Sequence, residues 1–569
     1  MMYNLRIMKT KSLYLTVAIG MMLGLASCNM DYYPSDEQSS DVIIKESSST
    51  IMDGCYSLLK DEIEYLGWPS GNSYCRHFFQ MAEFPADNIC LSGKSTDPLF
   101  QATTYTMTDN LQNVGTLWML GYKIISMANT LIEGLDENKA EDKQVLGEAY
   151  FMRALVHLNL VTLFAKPYSY GRSNPGVPLR LSNKESTIKR NEVGEVYDQI
   201  VADLLKASEL MGKSRGNAGY ASKEAALGLL SRVYLYMEEY DKCIKVVDDM
   251  LDGASAESKL DPNYATYFAN AKTSIETLFC IAHEATDDRG QSAIGSMYNG
   301  DGGGWGEIYP SFPLINLYER YPADIRYTAY IHPQFEDDTI SADLYAFVPR
   351  GEAGSEEKRD IQLFVADYDA ATDTYSFKEG SSVYAIEKRL IQGEYYEYHV
   401  NYGEEDLTVL LLPDNINMRS PGNYPKFFST KYGYQDGSPT LSSPVVLRWA
   451  EVILNRAEAY AHLNKDKEAF DDVNVIRTRA GIPPVGMFST SNMHGYANAL
   501  DVVLDERRLE LAFEGHRMFD VYRNKKDMDR RYPGLQSWKI IKWDKENHII
   551  YPIPYAEWTV SGIQQNEGY

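Results

Sequence analysis

Over much of the chain the apolar positions recur at three- and four-residue steps, the spacing that lines them along one face of a helix. Across residues 143–163 they are Val145, Ala149, Met152, Val156, Leu160 and Leu163, and Lys166-Pro167 closes the run. Asn174-Pro175-Gly176-Val177-Pro178 reads as loop. Val193, Val196, Tyr197, Ile200, Val201, Leu204 and Leu205 make the next amphipathic stripe. Ser222 starts another with Ala225, Ala226, Leu229, Leu230, Val233 and Tyr234, and residues 240–251 form its partner after a short turn. The design returns at 446–462, with a turn at Asn464-Lys465-Asp466 and a second helix at 468–478.

These helix pairs look related, since Arg153-Ala154, Arg232-Val233 and Arg456-Ala457 sit at similar places in their first helices. In style, though not in strict motif, they resemble the tetratricopeptide unit. Such pairs bury their faces only by stacking on neighbours, so one helical body assembled from both halves of the chain is expected. Residues 271–444 differ, being rich in Gly, Asp, Tyr and Pro, with short β-like runs at 360–366, 382–390 and 407–412. The expectation there is a loop-rich lobe with little regular structure, on which binding would reside. The fold class is thus mainly α, with tetratricopeptide-like pairs and a lobe containing short strands. Residues 51–270 and 445–569 build the body and 271–444 the ligand-binding lobe.

The N-terminus is organised differently. Arg6, Lys9 and Lys11 precede an apolar run over 13–25 that is short for a bilayer span, as in a secretory signal. Leu25-Ala26-Ser27-Cys28 resembles the bacterial lipobox, which implies cleavage after residue 27 and a lipidated Cys28. Residues 28–50, with their serines, read as a tether holding a globular body beside a membrane. Loss of Arg6, Lys9 and Lys11 with the leader takes the formal charge from −25 to −28. That acidity argues against nucleic acid, whose binding rests on Lys and Arg. Cys55, Cys75, Cys90, Cys243 and Cys280 are an odd, scattered set, so free and mostly buried thiols are expected.

Four stretches go further. Residues 191–207 (NEVGEVYDQIVADLLKA), 448–459 (RWAEVILNRAEA), 504–520 (LDERRLELAFEGHRMFD) and 551–557 (YPIPYAE, running on to Gln565-Asn566-Glu567-Gly568-Tyr569) occur in this order behind the lipobox. Together they resemble the SusD/RagB family of outer-membrane nutrient-binding lipoproteins of Bacteroidetes, over essentially the whole mature chain. Glu567 departs from a more usual Pro before the closing Gly-Tyr. The resemblance implies lipid anchoring at the outer membrane, facing outward. It also implies a lid-like position over a SusC-like TonB-dependent transporter, and non-catalytic capture of a glycan or, in some members, peptides. Arg507, Arg508, Glu510, Glu514 and Arg517 are read as one helix whose opposite charges pair at three- and four-residue steps.

No nucleophile elbow, zinc helix or phosphate loop appears in the sequence. No cofactor is expected, and a structural calcium is left open. The segment 297–309 (MYNGDGGGWGEIY) presents Trp305 on a glycine-rich loop read as flexible. Sugar rings stack their C–H faces on aromatics while Asn or Asp at the rim meets hydroxyls, so Tyr298, Asn299, Asp301, Trp305 and Tyr309 are candidate ligand residues. Trp68, Asn72 and Tyr74, in WPSGNSY, are a second set, whereas Trp118 and Trp449 belong to core helices. Tyr395, Tyr396, Tyr398 and Tyr402 form a third aromatic cluster whose role stays open. The leading expectation is a glycan-binding surface lipoprotein. The alternatives are a tetratricopeptide-type binder of peptide or protein and, third, a glycoside hydrolase with two carboxylates across a cleft.

Overall fold

The computed structural model describes residues 40–65, 68–70, 73–91, 97–185, 188–350, 360–391, 395–419 and 423–569. Ser48–Tyr569 pack as one unit; of the preceding unit, Met1–Ser47, the described part is the opening of helix α1 (Ser40–Leu58). The stretch read as a tether is therefore helical from Ser40, because Met52, Cys55 and Leu58 bury one face at helical spacing. Cys28 and the leader lie outside the described residues. No helix among the described residues is long and apolar enough to cross a membrane.

After α2 (Ser73–Glu83) the body is a stack of antiparallel helices: α3 (Gln112–Gly134), α4 (Ala140–Phe164), α5 (Val193–Leu210), α6 (Lys223–Tyr236) and α7 (Tyr240–Leu251). The stack resumes after the lobe with α8 (Trp449–His462), α9 (Asp466–Arg479) and α10 (Ala499–Glu510), α8 packing against both α6 and α7. Local chemistry sets the starts. The Ser222 hydroxyl accepts the Ala225 N–H to open α6, and Asn498 does the same for Asp501 at α10. The recurrent arginines seen in the sequence tie helix to helix. Arg153 reaches Asp203 of α5 at 2.7 Å, Arg232 reaches Glu451 of α8 at 2.6 Å, and Arg456 reaches Asp472 of α9 at 2.7 Å. The α8 helix begins three residues later than its periodicity suggests. Val445–Arg448 is instead a strand antiparallel to Thr277–Cys280, with Val445 opposite Cys280, and β-branched Val445-Val446 suits that state.

The segment between those two strands is less loop-like than its composition implies. Six strands, β1 (Leu344–Arg350), β2 (Asp360–Asp369), β3 (Thr374–Glu379), β4 (Ser382–Ile391), β5 (Tyr395–Tyr402) and β6 (Glu405–Pro413), run up and down and close into a barrel. Closure is by β6 on β1, with Leu410 opposite Phe347. Alternate residues fill the interior: Ala346, Val348, Phe377, Ile386, Val400, Leu407 and Val409, with Phe364, Tyr384 and Tyr402 packed on them. The three β-like runs of the sequence are parts of β2, β4 and β6. The tyrosine cluster is β5, with Tyr398 and Tyr402 facing inward and Tyr396 exposed at 53%.

A second departure concerns the charged motif. The chain is not one helix from Arg507 to Arg517, because α10 ends at Glu510 and Phe513 (φ +69°) and Gly515 (φ +76°) turn it before a new helix, Arg517–Arg523. The charges consequently pair between elements. Arg448, buried, donates to Glu514 at 2.8 Å, Glu510 at 2.5 Å and Glu276 at 2.8 Å. Arg326 holds Asp324 at 2.7 Å and Glu506 at 2.5 Å. Arg507 holds Asp520 at 2.9 Å, and Arg517 holds Asp87 at 2.7 Å. Burial alone would raise Glu451, but Arg232 and His516 beside it hold its carboxyl down to about 2. The five cysteines downstream of Cys28 are buried and none is in a disulfide; burial pushes the Cys55 and Cys280 thiols up to about 12.

Candidate ligand cleft

A short helix, Ile294–Tyr298, delivers the chain into the glycine-rich loop, which doubles back on itself. The N–H of Gly306 reaches the Ser296 carbonyl at 2.9 Å, and that of Glu307 reaches Met297 at 2.8 Å. Glycine is required rather than incidental here. A Cβ on Gly304 would lie 2.1 Å from the Asn299 carbonyl oxygen, and Gly306 sits at φ +51° against the Phe428 ring. The loop expected to be flexible is wound tightly by these approaches.

Its polar residues converge on a second loop. Asn299 is buried, and its side-chain oxygen accepts the Asp301 N–H at 3.0 Å. Asp301, exposed, accepts a hydrogen bond from the Tyr434 hydroxyl at 2.6 Å. Tyr434 is held at φ +64° by a turn whose carbonyl at Ser438 takes its N–H at 2.8 Å. Between the two loops opens a cleft of about 430 Å³ lined by Asn299, Asp301, His332, Gln334, Phe428 and Tyr434, among others. Burial lowers His332, which leaves a neutral imidazole whose Nε2 lies 3.1 Å from the Thr430 hydroxyl. Burial, then the Asp301 carboxylate, raises Tyr434 and keeps its hydroxyl a donor. The cleft therefore offers an aromatic face, neutral donors and acceptors, and Asp301 as its one lining carboxylate among the described residues. A larger cleft, about 600 Å³, runs beside Phe312, Arg508 and Arg531. Its cations already hold partners, Arg531 on Asp529 at 2.7 Å and Arg508 on Asp87 at 3.3 Å.

Of the residues expected from sequence, the cleft unites Asn299 and Asp301. Trp305 lies four residues on, half exposed at 51%, outside the lining; its indole N–H donates to the Gln291 carbonyl at 3.3 Å. Tyr298 is a correction: it is buried between Tyr432 and Phe513, at ring distances of 5.7 and 5.4 Å. Tyr309 is another, fully buried in a strand Ile308–Pro310 that pairs with Ile89–Leu91, its ring stacked on Tyr424. Tyr74 is a third, buried in α2 with its hydroxyl accepting from Asn159 at 3.0 Å. Tyr298 and Tyr309, though close to glycines in sequence, fill the core because their rings find aromatic partners there. Trp68 begins a short strand, Trp68–Ser70, paired with Ile63–Tyr65, and Asn72 lies outside the described residues. Trp118 and Trp449 are core, as expected. Sequence reasoning missed Phe428, Tyr434 and His332. The signal was the run Tyr432-Gly433-Tyr434-Gln435-Asp436-Gly437, which repeats the aromatic, glycine and polar mixture of 297–309. Among the described residues no group of three or more His, Cys, Asp or Glu side chains converges as a metal site.

A stack of helix pairs carrying a strand-built lobe, with an aromatic cleft lined by one carboxylate among the described residues, places the chain among helical-repeat proteins. The chain belongs to the SusD family, whose profile matches residues 263–569. A second profile, described as SusD-like, "Starch-binding associating with outer membrane", matches residues 47–235. SusD-like protein P2 of Formosa agariphila is 25% identical over 82% of this chain and 83% of its own. SusD-like protein P38 of the same organism is 24% identical over 84% of each. A SusD superfamily structure from Bacteroides thetaiotaomicron superposes with a TM-score of 0.65 at 22% identity, covering 92% of this chain and 99% of that one. A structure described as a laminarin-binding SusD-like protein superposes with a TM-score of 0.59 at 19% identity, covering 92% and 99%.

Proposed function

We propose that the mature chain is a cell-surface lipoprotein, anchored through Cys28, that captures a glycan without cleaving it and passes it to a SusC-like TonB-dependent transporter. The observation that carries this is the cleft itself: the exposed Tyr434 ring beside Asp301, Asn299 and neutral His332, in a chain of the SusD family. A ring face accepts the C–H side of a pyranose, and the rim groups meet its hydroxyls. Asp301 has no second lining carboxylate facing it among the described residues, while hydrolysis of a glycosidic bond calls for a pair about 5–9.5 Å apart. The laminarin-binding relative and the starch-binding profile support a saccharide ligand.

Affinity electrophoresis through a panel of neutral polysaccharides tests the reading. Retention by one polymer is expected, with Tyr434→Ala weakening it about tenfold, or ~1.4 kcal/mol, and Trp305→Ala weakening it less. Retention unchanged in both variants places binding elsewhere, and release of reducing sugar by the purified protein overturns the non-catalytic reading. Labelling with radioactive palmitate, lost in Cys28→Ser, checks the anchor.

A further inference from the structure

The barrel carries a second aromatic surface that the cleft does not use. Inward positions run out at one end of the barrel, where β2 and β4 end and β3 and β5 begin. There Tyr368, Tyr375, Lys388, Leu390, Tyr396 and Tyr398 share the interior parity, in registers Tyr368 opposite Tyr375, Lys388 opposite Tyr398 and Leu390 opposite Tyr396. Below them the lumen is filled by Phe377, Ile386 and Val400, so these side chains are held at its mouth. Tyr368, Leu390 and Tyr396 are each exposed by more than half, at 53%, 54% and 53%.

The rings are fixed by a chain of contacts. Tyr368 and Tyr375 lie 4.8 Å apart, and Tyr375 meets Tyr398 edge-on at 5.8 Å. The Tyr368 hydroxyl donates to Asp373 at 3.1 Å, the other Asp373 oxygen accepts from Lys388 at 3.3 Å, and the Lys388 ammonium sits 4.7 Å over the Tyr396 ring. Lys388 is thus neutralised by Asp373, which removes the charge an anionic lipid or nucleic acid would require. Leu390 is the one aliphatic side chain among the six, where an apolar docking patch for a protein would carry more. What is left is two exposed tyrosine rings, Tyr368 and Tyr396, the second with Lys388 over one face, braced by Tyr375 and Tyr398 and so pre-ordered at low entropic cost.

We propose that this barrel mouth is a second saccharide-contacting platform, engaging units of a polymer chain beyond those held in the cleft. The inference rests on the glycan-binding reading above and adds to it a separate contact on the inserted barrel. A long polymer touching both surfaces gains by effective concentration, whereas a short oligosaccharide occupies the cleft alone.

The test uses the mature chain and the polysaccharide it retains. Tyr368→Ala combined with Tyr396→Ala is expected to weaken polymer retention about tenfold while calorimetric affinity for a short oligosaccharide of the same polymer stays unchanged. Tyr434→Ala lowers both, and Tyr396→Trp, which keeps a stacking face, preserves retention. An unaltered thermal unfolding midpoint shows that the exposed positions do not report on folding. Wild-type retention in the double variant overturns the platform and leaves the cleft standing. Failure of the wild-type chain to bind any polysaccharide in the panel overturns both.

Discussion

The helical body and the barrel use charge and aromatic rings in opposite ways. In the body, arginines and carboxylates are drawn inside: Arg448, Arg326 and Arg507 are nearly or fully buried, each bonded to two or more partners. In the barrel the ion pairs lie outside, as between Arg389 and Asp406 at 2.6 Å, and aromatics fill the lumen and spill from its mouth. Buried pairs recover little net stability over apolar packing but are costly to break, so they fix one arrangement of helices and forbid others. Exposed pairs add little to global stability, which leaves most of the barrel surface free to vary. The body has committed its polar groups to one another, whereas the barrel keeps its own at the surface.

The largest effect expected from breaking this contrast is in Arg448→Met. It removes the one cation that Glu276, Glu510 and Glu514 all share, leaving Arg479 on the first two and Lys431 on the third, and should cost roughly 3–5 kcal/mol, read as a lowered urea midpoint. A midpoint within error of wild type would mean the network is not structural. Glu83 sharpens the comparison from the other side, being a buried body carboxylate without an arginine. Burial pushes its carboxyl from 4.5 up to about 8, against the Gly515 N–H and Lys431, which pull it down. The folded state thus binds this proton more tightly than the unfolded chain. Its contribution is fully present below about pH 4.5 and is lost as the pH rises through 8. Glu83→Gln, which keeps an acceptor for Gly515, should match wild type near pH 4 and exceed it by roughly 4 kcal/mol at pH 8; equal stability at both values refutes the assignment. The smallest effect is Arg389→Ala, which should leave the unfolding midpoint unmoved because its partners on the barrel exterior are solvated.

How much of this was readable beforehand follows the same division. Helix pairs announce themselves because each buries one stripe, and the spacing of Val193, Val196, Tyr197 and Ile200 has no other use. The barrel escaped as a whole although parts of three strands were visible, because its closure is made by Leu410 meeting Phe347, a pairing between distant segments that local pattern does not encode. The cleft was half legible. Asn299 and Asp301 stood out by their glycines, whereas Tyr434 joins them only through a turn more than a hundred residues away. The misjudged tyrosines share one cause: a ring with a hydroxyl suits a wet surface and a core equally well, and Tyr298 and Tyr309 had apolar neighbours waiting. The charged motif misled for a related reason, since periodicity cannot report that Phe513 and Gly515 turn the chain.

The two strands Thr277–Cys280 and Val445–Arg448 stand at the base of everything between them. They bring the chain back to the helical stack at the point where it left, so α8 can dock on α6 and α7 whatever the intervening segment becomes. The entropy of closing such a loop grows only with the logarithm of its length, about 0.6 kcal/mol for each doubling. For the stack, then, the size of the lobe is nearly a matter of indifference. A lineage can lengthen it, shorten it, or trade its barrel for another fold, and so change what the protein holds while inheriting the same frame.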